Sequence, residues 1–524
     1  MGKKLNILVG IILIVISNNT LKAISPDSDI KNTVSLSNEK ILELNTIWFG
    51  TTNAAALTFY DFNGQLGKAS LNYEHSEGDY KLFQENGSSN VYGFYTDGYI
   101  EKGKWKFYGK FNYNNSLSPG TKWVDVMNPY NGNPYTVGDS IGGKYWKEYF
   151  IMEGKGAYKL NELVSLGFDI NYTTGEGTKR KDPRPVNVTT TFDICPGIVF
   201  NLGKIKAGAD FKYLTEKEDI EFETVVSDNN YDLFYFRGLG VFSSTFQLDD
   251  RFTETELFGG GFQFVYDNQN FKNITSVDFD KKVTDIKRGS SHPLQVVMLD
   301  NYFTDMSTTF MFLPSEKEVN KLSFSYNNLK IYGQEPVVEP KLEQTQYQWS
   351  TAAKYTLYWN KAQQYMINFS HYKFTDANHI DWGTEISGKI NSDKTTYYFV
   401  PEFNKQTVNQ YTISALVEKG MVLKKSEVLL SVNGVYRNSF DSSLKIVEDE
   451  NLLSVVNTDF INHDFEYLSA AIWQAGVSLK IGKPVTLDKF PCEVFLNTSY
   501  NITISDLPEN ANWKNFELKL GIIF

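Results

Sequence analysis

The chain has 524 residues, a formal charge of −11 and 15% aromatic residues, among them 32 Tyr and 38 Phe. Its length would ordinarily suggest several globular domains, but its acidic balance gives nucleic acid no basic surface as a partner. Beyond residue 23 there is no apolar run of about 18 residues, so no transmembrane helix is available and a membrane role must be carried by strands. Only helices and closed barrels satisfy their own backbone in lipid, so that alternative is specific.

Residues 1–23 have a basic start at Lys3 and Lys4, an apolar stretch from Ile7 to Ile16, and end in Leu21-Lys22-Ala23. This is the anatomy of a cleavable signal peptide with Ala23 as the last residue removed. The stretch is shorter than the roughly 20 residues a membrane helix needs, and no Cys follows for a lipoprotein. Removing the segment leaves 48 basic against 62 acidic residues, a balance of −14. The organisation expected is a signal peptide at 1–23, an N-terminal periplasmic or plug segment at 24–67, and a barrel over 68–524.

Within 24–67 runs Ile47-Trp48-Phe49-Gly50-Thr51-Thr52-Asn53-Ala54-Ala55-Ala56-Leu57. The Asn-Ala-Ala-Ala-Leu string resembles the Asn-Pro-Ala-(Ala/Gly)-Leu motif of long-chain fatty-acid transporter-like barrels, with Ala54 where that motif has Pro. The resemblance implies that Trp48, Asn53 and Leu57 belong to a lumenal plug. An irregular first strand is the alternative.

From there the chain alternates with period 2, the mark of strands with one face in lipid and one in a polar lumen. Trp105, Phe107, Phe111 and Tyr113 alternate with Lys104, Lys106 and Lys110. Leu166, Phe168 and Ile170 oppose Asp169, while Ile205, Ala207, Ala209 and Phe211 oppose Lys206 and Asp210. These six charged residues are the expected lumen-facing set. Short turns are expected near Gly103, Asn161, Gly203, Asn268, Asn360-Lys361 and Gly420. Longer connections are expected near 116–145, 174–187, 215–255, 283–299, 375–405 and 439–463. The reading is an all-β, transmembrane antiparallel up-and-down barrel of about 18 strands, within 16 to 20, since 215–255 and 375–405 each have room for a further hairpin. The last strand places Phe516, Leu518, Leu520, Ile522 and Phe524 on one face, with Ile523 breaking the pattern. A terminal aromatic closing such a face resembles the signal that outer-membrane barrels present to their assembly machinery.

Trp123, Tyr130 and Tyr135 sit among turn formers in loop 116–145, suited to stacking on a ligand or to folding inward on the wall. Lys179, Arg180 and Arg184 crowd loop 174–187, where they would contact lipopolysaccharide phosphates or form a solvated tip. Cys195 and Cys492 are read as unpaired strand residues. No phosphate loop, metal-ligand spacing or nucleophile motif accompanies His75, His292, His371, His379 and His463, so neither catalytic nor cofactor or metal residues are assigned.

Gly78-Asp79-Tyr80-Lys81, Tyr113-Asn114-Asn115, Lys122-Trp123, Asn128-Pro129-Tyr130, Gly132-Asn133-Pro134-Tyr135 and Asp139-Ser140-Ile141-Gly142-Gly143 together resemble a family of Bacteroidetes outer-membrane barrels classed as a domain of unknown function. The resemblance implies the fold and an outer-membrane location in a Gram-negative cell, and supplies no catalytic residue. The expected partners are membrane lipid and lipopolysaccharide, the barrel-assembly machinery, and another outer-membrane transporter or lipoprotein. The first functional expectation is a channel or transporter for a small or lipophilic solute; a non-enzymatic accessory barrel comes second and an outer-membrane enzyme third.

Overall fold

The computed structural model describes residues 35–62, 64–226, 231–289, 293–343, 346–375, 379–399, 401–487, 490–507 and 510–524. The expected signal peptide and the following residues to 34 lie outside the described residues, as does His292. The strands begin with β1 Gln65–Gly78, β2 Ser88–Lys102, β3 Trp105–Thr121, β4 Val137–Gly138, β5 Gly143–Lys159, β6 Val164–Lys179, β7 Arg184–Leu202 and β8 Ile205–Glu223. They continue with β9 Leu233–Gly238, β10 Val241–Thr245, β11 Arg251–Asn268, β12 Phe271–Arg288, β13 Leu294–Ser315, β14 Glu318–Glu343, β15 Gln346–Phe374 and β16 Ile380–Tyr398. The last are β17 Phe403–Leu423, β18 Ser426–Ser439, β19 Ser443–Lys445, β20 Ile472–Leu487, β21 Phe490–Ser505 and β22 Asn512–Ile523. Helices α1 Asn38–Asn45, α2 Glu450–Leu453 and α3 Thr458–Ser469 and a 3-10 turn at Ala54–Phe59 complete the elements.

Each long strand pairs antiparallel with its neighbours, and β1 pairs with both β2 and β22, so the sheet closes as an 18-strand barrel. The short β19 only edges β17, while β4, β9 and β10 form a separate three-stranded sheet in the long connections. The seam is finished by reciprocal backbone bonds of 2.8 Å between Gly67 and Phe524. The Phe524 ring lies where a Gly67 side chain would be, 2.8 Å from an ideal Cβ.

Alternation decides which face meets lipid. Leu166, Phe168, Ile170, Phe258, Phe262 and Leu520 are exposed on the outside. Rings collect near both rims: Trp105 lies 5.5 Å from Phe107 and 4.7 Å from Tyr158 at the short-turn end. Toward the long-loop end, Tyr302, Tyr332, Trp359 and Tyr398 follow one another across β13 to β16. An apolar belt between aromatic girdles on a closed barrel is a lipid-facing surface, and the protein is an outer-membrane barrel.

The count agrees with the expectation, but four local readings do not. Residues 346–374 form one strand instead of two with a turn at Asn360-Lys361, because Asn360 pairs with Ile331 and Thr395 and its amide reaches Asp393 and Thr395 at 2.9 Å. Residues 375–405, read as a loop, hold β16. Its outward face has apolar residues only at spaced positions such as Trp382, Ile386 and Ile390, which weakens the alternation. The connection expected near 439–463 runs further, through α3, which is capped by Asn457 accepting from Phe460 N, and the next strand begins at Ile472. The barrel also starts at Gln65, ahead of the expected 68.

Residues 35–62 lie inside the barrel at its short-turn end. Leu36, Leu44, Ile47, Trp48, Ala55 and Ala56 share one apolar cluster with inward residues from around the wall, including Val199, Ile274, Met311, Tyr372, Leu429 and Phe495. Ile523 joins it, which explains why it breaks the outward pattern of the last strand.

Candidate functional site

The lumen is occupied from both ends, and the candidate site is the space left under the cap. At the short-turn end the seat of the N-terminal segment is built from glycines. Gly167, Gly197 and Gly208 bring the wall so close that an ideal Cβ on each would stand 2.2 Å from Ala55 N, 2.2 Å from Asn53 Oδ1 and 2.6 Å from Gln263 Oε1. Into this flat patch fits Asn53. Its Oδ1 caps the 3-10 turn by accepting from Ala55 N at 3.1 Å, and its Nδ2 donates to Ile198 O, Ala209 O and Gln263 Oε1 at 3.0 to 3.1 Å. Leu57 and Trp48 are buried beside it, Trp48 stacked on Phe59.

Ion pairs surround that seat. Lys68 reaches Glu39 at 2.6 Å, Lys40 reaches Glu385 at 3.2 Å, and Lys321 donates to the Glu43 carbonyl at 2.7 Å. Among the six expected lumen-facing charges, Lys106 donates to the Tyr60 carbonyl and Lys206 sits 5.4 Å from the Phe59 ring centroid while paired to Asp267 at 2.7 Å. Asp210 accepts from Thr52 and Gln263, Asp169 pairs with Lys155 at 3.3 Å, and Lys110 with Glu153 at 3.1 Å. Lys104 departs from the expectation: it precedes β3 in the turn, is exposed, and donates to Leu160 O at the rim. A second cavity of about 310 Å³ lies between the segment and the wall, edged by Glu43, Thr51, Asp278, Lys321 and Glu385.

At the other end the long connections pack into a cap. The three-stranded sheet lies with α3 over the opening, and Phe83, Trp123, Phe234 and Phe460 form one ring cluster with Phe83 and Phe460 centroids 3.7 Å apart. Trp123 thus packs on other rings, and Tyr135 is buried with its hydroxyl on Glu335 at 3.2 Å. Glu335 also takes Tyr397 at 2.7 Å and Arg237 at 2.7 Å, tying the cap sheet to the wall. Tyr130 stays accessible and edges the cavity below.

Lys179 corrects the reading of an external charged tip. β6 runs to Lys179 and β7 starts at Arg184, so only 180–183 connect them. The Lys179 ammonium is buried between Asp125, at 2.7 Å, and Asp139, where it fixes the cap loop to the wall. Burial pushes the Asp125 carboxyl up, against the pull of Lys179. Arg180 stacks 4.1 Å from the Trp146 ring centroid and Arg184 pairs with Asp182 at 2.6 Å, so each has a protein partner.

Under the cap, against the inner wall, lies a cavity of about 670 Å³. Among its apolar lining stand polar side chains: Asp305, Asn327, Asn360, Gln364, Asn391 and Asp393 from β13 to β16, with Gln406 and Gln410 from β17. The sequence hides this set because half of it sits on β15 and β16, which read as a hairpin and a loop. Their inward period-2 spacing, Asn391-Asp393-Thr395, was the available signal.

Catalytic geometry is not assembled by the described histidines. His75 and His371 face Asn90 and Asn320 at 3.0 and 2.8 Å. His379 lies 3.1 Å from Glu427, but the neighbouring Ser37 hydroxyl donates to that same Glu427, so the imidazole is not placed to take its proton. Cys195 and Cys492 are buried and free.

Solved structures similar to this chain include the ferric preacinetobactin receptor BauA of Acinetobacter baumannii, with 8% identity, TM-score 0.40, and 88% of this chain and 80% of that one covered. The outer membrane transporter YddB of Escherichia coli has 7% identity and TM-score 0.39 over 88% and 81% of the two chains. The FrpB iron transporter of Neisseria meningitidis has 9% identity and TM-score 0.39 over 90% and 83%. No curated protein matches the sequence. Residues 54–524 match the family described as a family of unknown function, DUF6850, and the chain belongs to that family.

Proposed function

We propose that the protein is a transport barrel that admits a small solute from the loop end, holds it in the lumenal chamber and releases it past the N-terminal segment. The observation that carries this reading is the cavity of about 670 Å³ lined by the cap and the inner wall, in the size range of small-molecule sites, roughly 300 to 1,000 Å³. In this reading residues 1–23 are the export signal, and the segment up to Phe62 is a plug. The ion pairs that hold it are exchangeable, so displacement needs no unfolding of the wall. The barrel has no catalytic role, and its terminal aromatic strand is the signal to the assembly machinery.

Planar-bilayer conductance tests the proposal. The mature protein is compared with a version lacking 24–62, which leaves β1 intact. Larger or more frequent currents without the segment are expected. Silence from both, with heat-modifiable barrel folding confirmed, would overturn transport in favour of an accessory barrel serving another outer-membrane complex.

A further inference from the structure

The lumenal chamber has a chemistry as well as a volume. We infer that it binds a neutral, polyhydroxylated solute of the oligosaccharide type. This names a substrate class for the transport reading and rests on it.

Carboxamides are set among apolar side chains on the wall. Asn327, Asn360, Gln364, Asn391, Gln406 and Gln410 line the cavity, and each amide presents donors and acceptors together. A sugar hydroxyl also donates and accepts, so these amides match a ring of hydroxyls, whereas a wholly apolar ligand would strip them of water without replacing it. Asn391 stands within this set, paired with Gln364 across β15 and β16 and two residues from Asp393 on the same inward face.

Charge argues against the other classes. Among the described residues that line the cavity there is no Lys, Arg or His, while Asp305, Asp393 and Asp464 are present. The only charged groups an anion would meet on that lining are carboxylates. A polycation would need those carboxylates free, yet Asp305 accepts from Asn327 at 2.5 Å and Asp393 from Asn360 at 2.9 Å and Thr395 at 3.0 Å. Held this way, they remain acceptors for hydroxyl groups. Tyr130, Phe236, Tyr358 and Phe460 add flat apolar faces at the cavity's edge, against which the C–H faces of a sugar ring can lie.

Titration calorimetry on the full mature chain in detergent tests this without requiring transport. The probes are neutral di- to tetrasaccharides of the maltose and chitobiose series, with citrate and spermine as charged comparators. Saturable binding of a neutral saccharide is expected, and Asn391→Leu should weaken it at least about 10-fold. Asn391→Asp, nearly isosteric and so safe for folding, should weaken it too by removing the amide donors. Binding of citrate or spermine with no saccharide binding up to about 10 mM would overturn the inference, as would unchanged affinity in both Asn391 variants. Saccharide binding by a barrel that never conducts would sink transport and leave the site standing.

Discussion

The Asn53 amide donates to Gln263 Oε1 at 3.0 Å inside the barrel, joining the N-terminal segment to β11 while its other contacts reach β7 and β8. One side chain therefore bridges three wall strands. Asn53→Leu removes these donors and the cap of the 3-10 turn together, and leaves Gln263 without that donor. The expected loss of docking is about 1 to 3 kcal/mol per buried group left unpaired. It should appear as faster proteolysis of residues 35–62 and a rise in open-channel events, with the barrel's heat-modifiable shift retained.

The glycine seat makes an independent prediction. Gly197→Val places carbon where Asn53 Oδ1 now stands, whereas Gly109 has nothing within 4 Å of an ideal Cβ. Overpacking costs about 1 to 3 kcal/mol, so Gly197→Val should release the segment as Asn53→Leu does, and Gly109→Ala should not. Cysteine placed at Ala54 reports both outcomes: its labelling from the periplasmic side should rise only in Gly197→Val.

Lys179→Met tests the cap. Removing one partner from a buried ionic cluster costs about 3 to 5 kcal/mol, because the remaining charges stay buried unpaired. The sign with pH follows from Asp125, whose carboxyl is already raised by burial and loses the opposing pull of Lys179. The packed loop then binds more protons than the released loop. Its packing is favoured below the ordinary carboxylate range and is lost as pH rises through the raised value. External protease should cleave the 122–142 loop of the variant at neutral pH, with protection returning on acidification. Cleavage that does not change with pH would refute the role given to Asp125.

The closure at Gly67 and Phe524 predicts an assembly phenotype. Deleting Phe524 removes both 2.8 Å backbone bonds at the seam and the ring over Gly67. A lower yield of heat-modifiable barrel is expected. Phe524→Tyr, which keeps backbone and ring, should restore most of it.

Much of this architecture can be read from residue order where lipid imposes a one-sided demand. Leu166, Phe168 and Ile170 must all face outward, so their period is clean and β6 is legible. β16 needs few apolar residues outside, and its polar Asn391 and Asp393 inside look the same in sequence as a solvated loop. Asn360 and Lys361 carry turn propensity, yet cross-strand pairing overrides it. Lys179 shows the same limit from the other side. A charged residue beside Arg180, Lys181 and Arg184 reads as a tip, and only the fold brings Asp125 and Asp139 to it. Asn53, by contrast, stands out in sequence through its motif, while the Gly167, Gly197 and Gly208 seat that receives it is scattered over three strands and cannot be assembled from spacing.

Tyr60 gives the N-terminal segment a titratable lock. Burial pushes its hydroxyl up to about 12, against the pull of Lys155 and a hydrogen bond from the Gly50 backbone. A released segment would return it to its ordinary value near 10. The docked form therefore holds the proton more tightly, so docking is fully supported below about pH 10 and weakens as pH rises toward 12. In planar bilayers, channel opening should increase reversibly over that interval, and Tyr60→Phe should remove that part of the pH dependence while leaving conductance at pH 7 unchanged. Lysines also titrate there, but Tyr60→Phe leaves them in place. An alkaline opening of equal size in the variant would assign the effect to Lys40 and its neighbours and not to Tyr60.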